Sequence, residues 1–261
     1  MGVMAAINPL YTLSGLFVGM LVGLTGLGGG SLMTPLLVLV FGIHPATAVG
    51  TDLLYAAATK SVGTAVHGWN RSVDWRVVGR LAAGSVPTTL GTGLLLSLLG
   101  TTGGSSRVIS IVVGFAVLCT AMLLLGRGWM LRNIGPRLPP EGPRRARELT
   151  ILTGAVLGVL VTLSSVGAGA LGVTALFLLY PRMPTARIVG SDIAHAVPLT
   201  LLAGGMHWLA GSVDWTLLLS LLTGSIPGII VGSVLATRVP DGLVRTTLAC
   251  VLLVVGGRLV I

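Results

Sequence analysis

Charge is the component that this sequence most lacks. Only 9% of its 261 residues are Asp, Glu, Lys or Arg, whereas about 25% of the residues in an ordinary soluble domain are charged. Hydrophobic residues make up 53% of the chain, and glycine contributes another 39 residues. Because 16 basic and 7 acidic side chains cannot cover a water-soluble surface of this size, the composition predicts an integral membrane protein and excludes soluble enzymes and disordered proteins.

Cysteine and metal-binding patterns are also scarce. The two cysteines, Cys119 and Cys250, each lie within a long apolar run, where a thiol behaves as a small hydrophobic side chain. We therefore expect two free thiols, and we exclude a secreted fold built on disulfides. No His or Cys residues have the spacing of metal ligands, so neither a metal nor another cofactor is expected.

The net charge is +9, and the positions of the basic residues indicate its origin. They are concentrated in or near a central polar stretch, residues 127–148, and at the ends of apolar runs. Cytoplasmic loops of membrane proteins carry such an excess of Lys and Arg, whereas a nucleic-acid partner would need a basic groove that follows phosphates. We therefore expect residues 127–148 in the cytoplasm and no nucleic acid as a partner. No removable signal peptide is predicted.

The two hydrophobic halves on either side of this stretch repeat each other. Residues 49–52, Val-Gly-Thr-Asp, return 140 positions later as Val-Gly-Ser-Asp at residues 189–192. The same shift relates further segments: Ser-Val-Asp-Trp at 72–75 and 212–215, and Gly-Ser-Val-Pro at 84–87 with Gly-Ser-Ile-Pro at 224–227. The duplication divides the chain into a first transmembrane repeat at residues 1–126, the basic loop at 127–148 and a second transmembrane repeat at 149–261.

Each half contains about five apolar segments. They lie near residues 10–26, 31–43, 45–66, 76–100 and 107–126, and near residues 150–165, 170–180, 186–209, 215–236 and 243–261. Because a membrane span needs about 20 apolar residues, the last three segments of each half are expected to cross the bilayer. The first two are shorter, so they predict short or broken helices, either crossing or re-entrant. Glycines spaced by four predict close helix packing: Gly15, Gly19, Gly23, Gly224, Gly228 and Gly232.

An odd number of crossings in each half turns the second half upside down. With residues 127–148 in the cytoplasm, the loop at 72–75 faces the cytoplasm and its copy at 212–215 faces outside. The predicted fold class is therefore an all-α polytopic membrane protein with two inverted-topology repeats. Such repeats are typical of secondary transporters, because two related halves can expose a midplane site alternately.

Both halves have a Gly/Ser-rich break after the first segment. The candidate substrate-binding residues at the two breaks are Gly28, Gly29, Gly30 and Ser31, and Ser164, Ser165, Gly167 and Gly169. Unwound backbone is tolerated at membrane depth only where it is buried in protein or lines a cavity. The helix after each break would direct unpaired N–H groups and a partial positive charge toward that cavity, which suits an anion. Close packing through small residues is the alternative.

Ionisable residues within the segments are few, and each is a functional candidate because it is costly in hydrocarbon. Asp52 and Asp192 are equivalent carboxylates that would repel an anion, so we assign them, together with His195, to proton coupling; capping of backbone N–H groups is the alternative for the two carboxylates. Asp192 and His195 share a helical face and could form a hydrogen bond. Lys60, the only lysine, is a candidate for binding the negative charge of the substrate; a structural Asp–Lys pair or a side chain that snorkels to the membrane surface is the alternative. Two matching hydroxyls complete the candidate substrate-binding set: Thr51 and Ser191.

The first break and the segment after it also carry a resemblance. Residues 26–37, GLGGGSLMTPLL, followed by Gly42 and residues 46–51, resemble the sulfite exporter TauE/SafE family, also called the 4-toluene sulfonate uptake permeases. The likeness covers nearly the whole chain; the second break departs from it, with SVGAG at residues 165–169 where a fuller glycine motif is usual. The resemblance implies transport of a sulfite-, thiosulfate-, sulfonate- or sulfoacetate-type anion across the bacterial inner membrane.

The residues and the resemblance together predict a secondary transporter, not an enzyme, that works by alternating access and is coupled to another ion or to protons. An anion channel is the nearest alternative. An intramembrane enzyme would need a nucleophile beside Asp192 and His195, and none is evident; a lipid-handling scaffold would not need duplicated breaks. The expected partners are the small anion and the lipid bilayer. The sequence leaves open whether the protein forms a homodimer.

Overall fold

The fold was analysed in a computed structural model, which describes residues 7–25, 30–69, 71–98, 106–133, 143–235 and 241–260. Every regular element in these ranges is an α-helix, as the sequence predicts. The helices are α1 (Pro9–Thr25), α2 (Gly30–Leu39), α3 (Pro45–Trp69), α4 (Trp75–Leu98), α5 (Ser106–Asn133), α6 (Pro143–Ser164), α7 (Ala170–Leu179), α8 (Thr185–Leu209), α9 (Trp215–Leu235) and α10 (Asp241–Val260). Helices α5 and α6 extend into both ends of the central polar stretch.

Five helices among the described residues are long and apolar enough to cross a membrane. They comprise Trp75–Leu98, Ser110–Met130, Arg144–Ser164, Thr185–Leu209 and Trp215–Gly232. The 25-residue α3 is not among them, because Asp52, Lys60 and several Gly, Thr and Ser residues lower its mean hydropathy. In α10 only Ala249–Val260 is a described apolar stretch, and it is shorter than a span.

The short helices before and after the breaks were predicted correctly in three of four cases. Helix α1 has 17 residues, and α2 and α7 have 10 residues each. The prediction of a short segment at residues 150–165 was wrong, since α6 has 22 residues. It begins at Pro143, and its first two turns are formed by basic and acidic residues that the apolar pattern does not count. Proline is favoured in the first turn of a helix, where its missing N–H costs nothing.

The two halves contribute equivalent helices in the same order, and their contacts are reciprocal. Helix α1 packs along α9, and its equivalent α6 packs along α4; α3 pairs with its own equivalent α8, and α5 pairs with α10. Glycines allow this close approach. A Cβ atom at Gly15 or Gly19 would meet the carbonyls of Leu221 and Ser225 in α9. In the same way, a Cβ atom at Gly154 or Gly158 would meet the carbonyls of Leu81 and Ser85 in α4. The glycine spacing therefore marks helix packing, as predicted.

The central pair, α3 and α8, runs antiparallel. Gly50 lies against Ser212 just beyond the end of α8, Gly204 lies against Leu54, and Gly63 lies against Ile193. Residue numbers along α8 therefore decrease as those of their contacts along α3 increase. The two equivalent helices therefore point in opposite directions.

Large apolar side chains are exposed around the outside of the bundle, among them Leu90, Leu94, Phe115, Met122, Leu201 and Val254. In water such a surface would be unusual for a monomer, whereas lipid covers it without cost. Cys119 and Cys250 are free and exposed on α5 and α10, so the prediction of two free thiols is confirmed.

Candidate functional site

The second break is a fully buried turn between α6 and α7. Helix α6 ends at Ser164, and α7 begins at Ala170. Ser165, Gly167 and Gly169 have positive φ values of 58°, 116° and 125°. Glycine adopts the left-handed region without the steric cost of a Cβ atom, which explains why Gly167 and Gly169 form the turn. The whole segment is buried in protein, as unwound backbone at membrane depth must be.

Several backbone N–H groups of this turn have no acceptor in the part of the chain that the structure describes. Ser165 N donates to Val161 O, and Val166 N donates to Ser164 Oγ. In contrast, the N–H groups of residues 167–170 donate to no acceptor among the described residues. Buried N–H groups are costly when unpaired, and here they coincide with the positive end of α7. The turn therefore offers several donors to an anionic group.

Lys60 reaches this turn from α3. Its Nζ atom donates to Ala168 O over 2.9 Å, and only 5% of the residue is exposed. No hydrogen bond joins Lys60 to Asp52 or Asp192 in the described part of the chain. The geometry therefore favours a role for Lys60 as a cation at the break over a direct Asp–Lys pair.

Asp52 is fully buried beside the same turn. Its Oδ2 atom accepts hydrogen bonds from the backbone N of Thr34 over 3.2 Å and from Thr34 Oγ1 over 2.5 Å. The buried hydroxyl of Ser165 lies next to this carboxylate. The sequence interpretation missed Thr34, although a threonine recurs at the fifth position of both α2 and α7 and could have indicated it.

Asp192 is equally buried but accepts no hydrogen bond from a described residue on either oxygen. Its Oδ1 atom lies against the backbone of Gly172, the third residue of α7. The hydrogen bond between Asp192 and His195 that the sequence suggests is absent. Instead, a hydrogen bond of 2.9 Å joins His195 Nε2 to Ser85 Oγ on α4. Ser85 was also missed, although it belongs to the repeated Gly-Ser-Val/Ile-Pro segment.

Thr51 and Ser191 are used between the halves rather than at the break. Asp214 N donates to Thr51 Oγ1 over 3.0 Å, and Asp74 N donates to Ser191 Oγ over 2.8 Å. Each hydroxyl thus fixes the loop that precedes α9 or α4 in the opposite half. The remaining candidates are placed as follows: Ser164 Oγ donates to Leu160 O at the end of α6, Gly30 and Ser31 form the start of α2, and Gly28 and Gly29 lie outside the described residues.

The site thus consists of a buried turn whose N–H groups have no described acceptor, one lysine and two carboxylates. Lys60 interacts electrostatically with both Asp52 and Asp192. A helical bundle with several membrane-spanning helices and a broken helix beside buried charges has the architecture of a multi-pass membrane transporter.

Sequence comparisons identify the family. The profile of the sulfite exporter TauE/SafE family matches residues 11–259. The chain is 40% identical over 252 residues to a probable membrane transporter protein, YjnA, of Bacillus subtilis, with 95% of this chain and 98% of that protein covered. It is 29% identical over 237 residues to a probable membrane transporter protein of Xylella fastidiosa, with 86% and 83% covered. No solved structure matches the chain. The protein belongs to the sulfite exporter TauE/SafE family, and it is a membrane transporter rather than an enzyme.

Proposed function

We propose that this protein is a secondary transporter that moves a small sulfur-containing anion across the bacterial inner membrane by alternating access, coupled to protons. The substrate is of the sulfite, thiosulfate, sulfonate or sulfoacetate type. The observation that carries the proposal is the turn at residues 165–170, where buried N–H groups with no acceptor among the described residues lie beside the ammonium group of Lys60. The family description, which names a sulfite exporter, supports sulfur as the central atom.

Substrate recognition would combine backbone donors with one full positive charge. The oxygen atoms of the anion accept hydrogen bonds from the N–H groups of residues 167–170, and Lys60 balances the negative charge. Hydrogen bonds between charged groups and donors are stronger than neutral ones. The first break, with Gly28, Gly29, Gly30 and Ser31, is the equivalent segment of the other half in the sequence repeat, and on that ground we propose it as a second source of donors. Asp52, Asp192 and His195 are the candidates for carrying the coupled proton.

The antiparallel crossing of α3 and α8 supports the inverted arrangement. If the halves are inverted, the loops that precede α4 and α9 lie on opposite sides of the membrane. The break then lies between two halves that expose it to one side at a time. The central loop and the loop preceding α4 face the cytoplasm.

A cysteine pair tests this topology. Trp69 at the end of α3 and Leu209 at the end of α8 are 91% and 86% exposed, and they are equivalent positions. In a background with Cys119→Ala and Cys250→Ala, Leu209→Cys is expected to react with a membrane-impermeant maleimide on intact right-side-out vesicles. Trp69→Cys should react only after the vesicles are permeabilised. Labelling of both positions from the same side would contradict the inverted arrangement.

An anion panel tests the substrate class. Purified protein is heated with sulfite, thiosulfate, sulfoacetate, taurine, sulfate, phosphate or formate at matched ionic strength. A ligand present at about 100 times its dissociation constant stabilises the folded state by roughly 2.7 kcal/mol, so one sulfur anion is expected to raise the unfolding temperature. The same anion should enter proteoliposomes with saturable kinetics and show counterflow, which a channel would not. If no sulfur anion stabilises the protein or is transported, the proposal fails.

A further inference from the structure

The two equivalent carboxylates, Asp52 and Asp192, differ in their hydrogen bonding. Asp52 accepts two hydrogen bonds from Thr34, one from the backbone N–H and one from the hydroxyl. Asp192 accepts none among the described residues, although it is only 1% exposed. A duplicated framework would provide the same surroundings to both residues, so the difference has a local cause.

The cause lies in the short helices that follow the breaks. Thr34 and Thr174 are both the fifth residue of their helix. The hydroxyl of Thr34 donates to Asp52, but the hydroxyl of Thr174 donates to Ala170 O, one turn earlier in its own helix, over 2.7 Å. Thr174 therefore has no hydroxyl proton left for Asp192.

The third position of each short helix adds a difference that the sequence itself encodes. In α7 this residue is Gly172, and a Cβ atom there would overlap Asp192 Oδ1. In α2 the third residue is Leu32, whose side chain is buried in the apolar core. Glycine thus lets the Asp192 carboxylate lie against the backbone of α7. The unequal bonding is consequently a property of the sequence.

Few ionisable groups surround Asp192. On α3, Lys60 interacts electrostatically with it. On the helix of Asp192 itself, the nearest ionisable residue is His195, whose ring forms a hydrogen bond with Ser85. Helices α7 and α9 contain no ionisable residue, and those of α4 and α6 lie in the first two turns of each helix. Beyond the first two turns of these helices, the one other acidic side chain is that of Asp52 on α3, which also interacts electrostatically with Lys60.

We propose that the two carboxylates have separate tasks: Asp192 is the single site that takes up and releases the coupled proton, and Asp52 is a fixed anion that Thr34 holds as the counter-charge of Lys60. The inference rests on the proposed function for its transport role. A buried carboxylate without donors is costly as an anion, and a proton from water removes that cost by forming the neutral acid. The same proton returns to water on the other side of the membrane. Thr34 is a positioning residue, because it acts through Asp52.

Infrared difference spectroscopy of the purified full-length protein tests this division without any substrate. Acidification should produce the carbonyl stretch of one buried protonated carboxyl group. The band should be lost in Asp192→Asn and retained in Asp52→Asn. A band that persists in Asp192→Asn, or that disappears in Asp52→Asn, overturns the proposal.

Two threonine variants form a matched pair that leaves both carboxylates in place. Thr34→Val removes the hydroxyl bond to Asp52, so a second protonated carboxyl band is expected on acidification. Thr174→Val removes only a bond within α7, so its spectrum should equal that of the wild type. Equal spectra for both variants would contradict the role of Thr34.

Transport then separates this inference from the proposed function. In proteoliposomes, Asp192→Asn should lose accumulation driven by a pH gradient, whereas Thr174→Val should retain it. If the wild type transports a sulfur anion and Asp192→Asn still accumulates it with the pH gradient, the inference is wrong and the proposed function stands. If the wild type transports no anion while the infrared result holds, the proposed function fails and the proton site remains.

Discussion

Lys60→Met is expected to weaken binding of the transported anion by roughly 10- to 100-fold and to abolish uptake. A hydrogen bond to a charged group contributes about 1.5–3 kcal/mol, and each 1.4 kcal/mol corresponds to about tenfold in affinity. Methionine keeps the length and much of the volume of the lysine side chain but supplies neither charge nor donor. The measurements are the dissociation constant of the purified variant and the initial rate of uptake into proteoliposomes.

The control for this variant is Thr200→Val. Thr200 is buried on α8 at the position equivalent to Lys60, and its hydroxyl bonds only within its own helix, to Ala196 O and Val197 O. The Thr200→Val variant should therefore bind the anion with the dissociation constant of the wild type. Because Lys60→Met leaves Asp52 without its counter-charge, Lys60→Met combined with Asp52→Asn restores neutrality and should fold. An unchanged dissociation constant in either Lys60 variant would place the anion elsewhere.

Gly84→Ala is expected to destabilise the protein more than alanine at the other glycines of α4, Gly79, Gly91 and Gly93. The new Cβ atom would overlap Ile151 O and lie close to Ala155 N in α6. Neither backbone can yield without separating the two helices. Forcing extra carbon atoms into a packed interface costs about 1–3 kcal/mol, and in chains of roughly 150–250 residues each kcal/mol lowers Tm by about 2–4 °C.

Gly91→Ala is the matched control, because it lies two turns further along the same helix with open space around its position. Alanine has the higher helix propensity, so this variant should be as stable as the wild type or slightly more stable. Thermal unfolding in detergent, followed by circular dichroism, compares the two. Equal unfolding temperatures would show that the interface between α4 and α6 is looser than the structure indicates.

The sequence predicted the helical framework well because apolar length and glycine spacing are local properties. The segment near residues 215–236 matches α9, and the four-residue glycine spacing matches the close packing of α1 against α9. The start of α6 was predicted poorly for a physical reason. A helix that leaves the bilayer continues through residues such as Arg144 and Glu148, which pair at 3.4 Å across one turn, and an apolar pattern ends before them.

The candidate site was harder to predict, because its contacts join residues far apart in the chain. Lys60 and the second break were both identified, but the bond between Lys60 and Ala168 O connects a side chain to a main-chain atom 108 positions away. No side-chain motif encodes such a contact. Thr51 and Ser191 were chosen as matching hydroxyls of the two halves. They adjoin Asp52 and Asp192 in the sequence, but neighbouring residues on a helix point in different directions. Their hydroxyls consequently face the loops of the opposite half.

The burial of Lys60 has a practical consequence. Lys60 provides the only side-chain amine of the protein, and only 5% of the residue is exposed. Reagents that acylate lysine will therefore modify this side chain slowly while the bundle is folded and rapidly once it opens. The extent of acylation at this one position reports unfolding directly, in detergent or in lipid, without a fluorophore or an added cysteine.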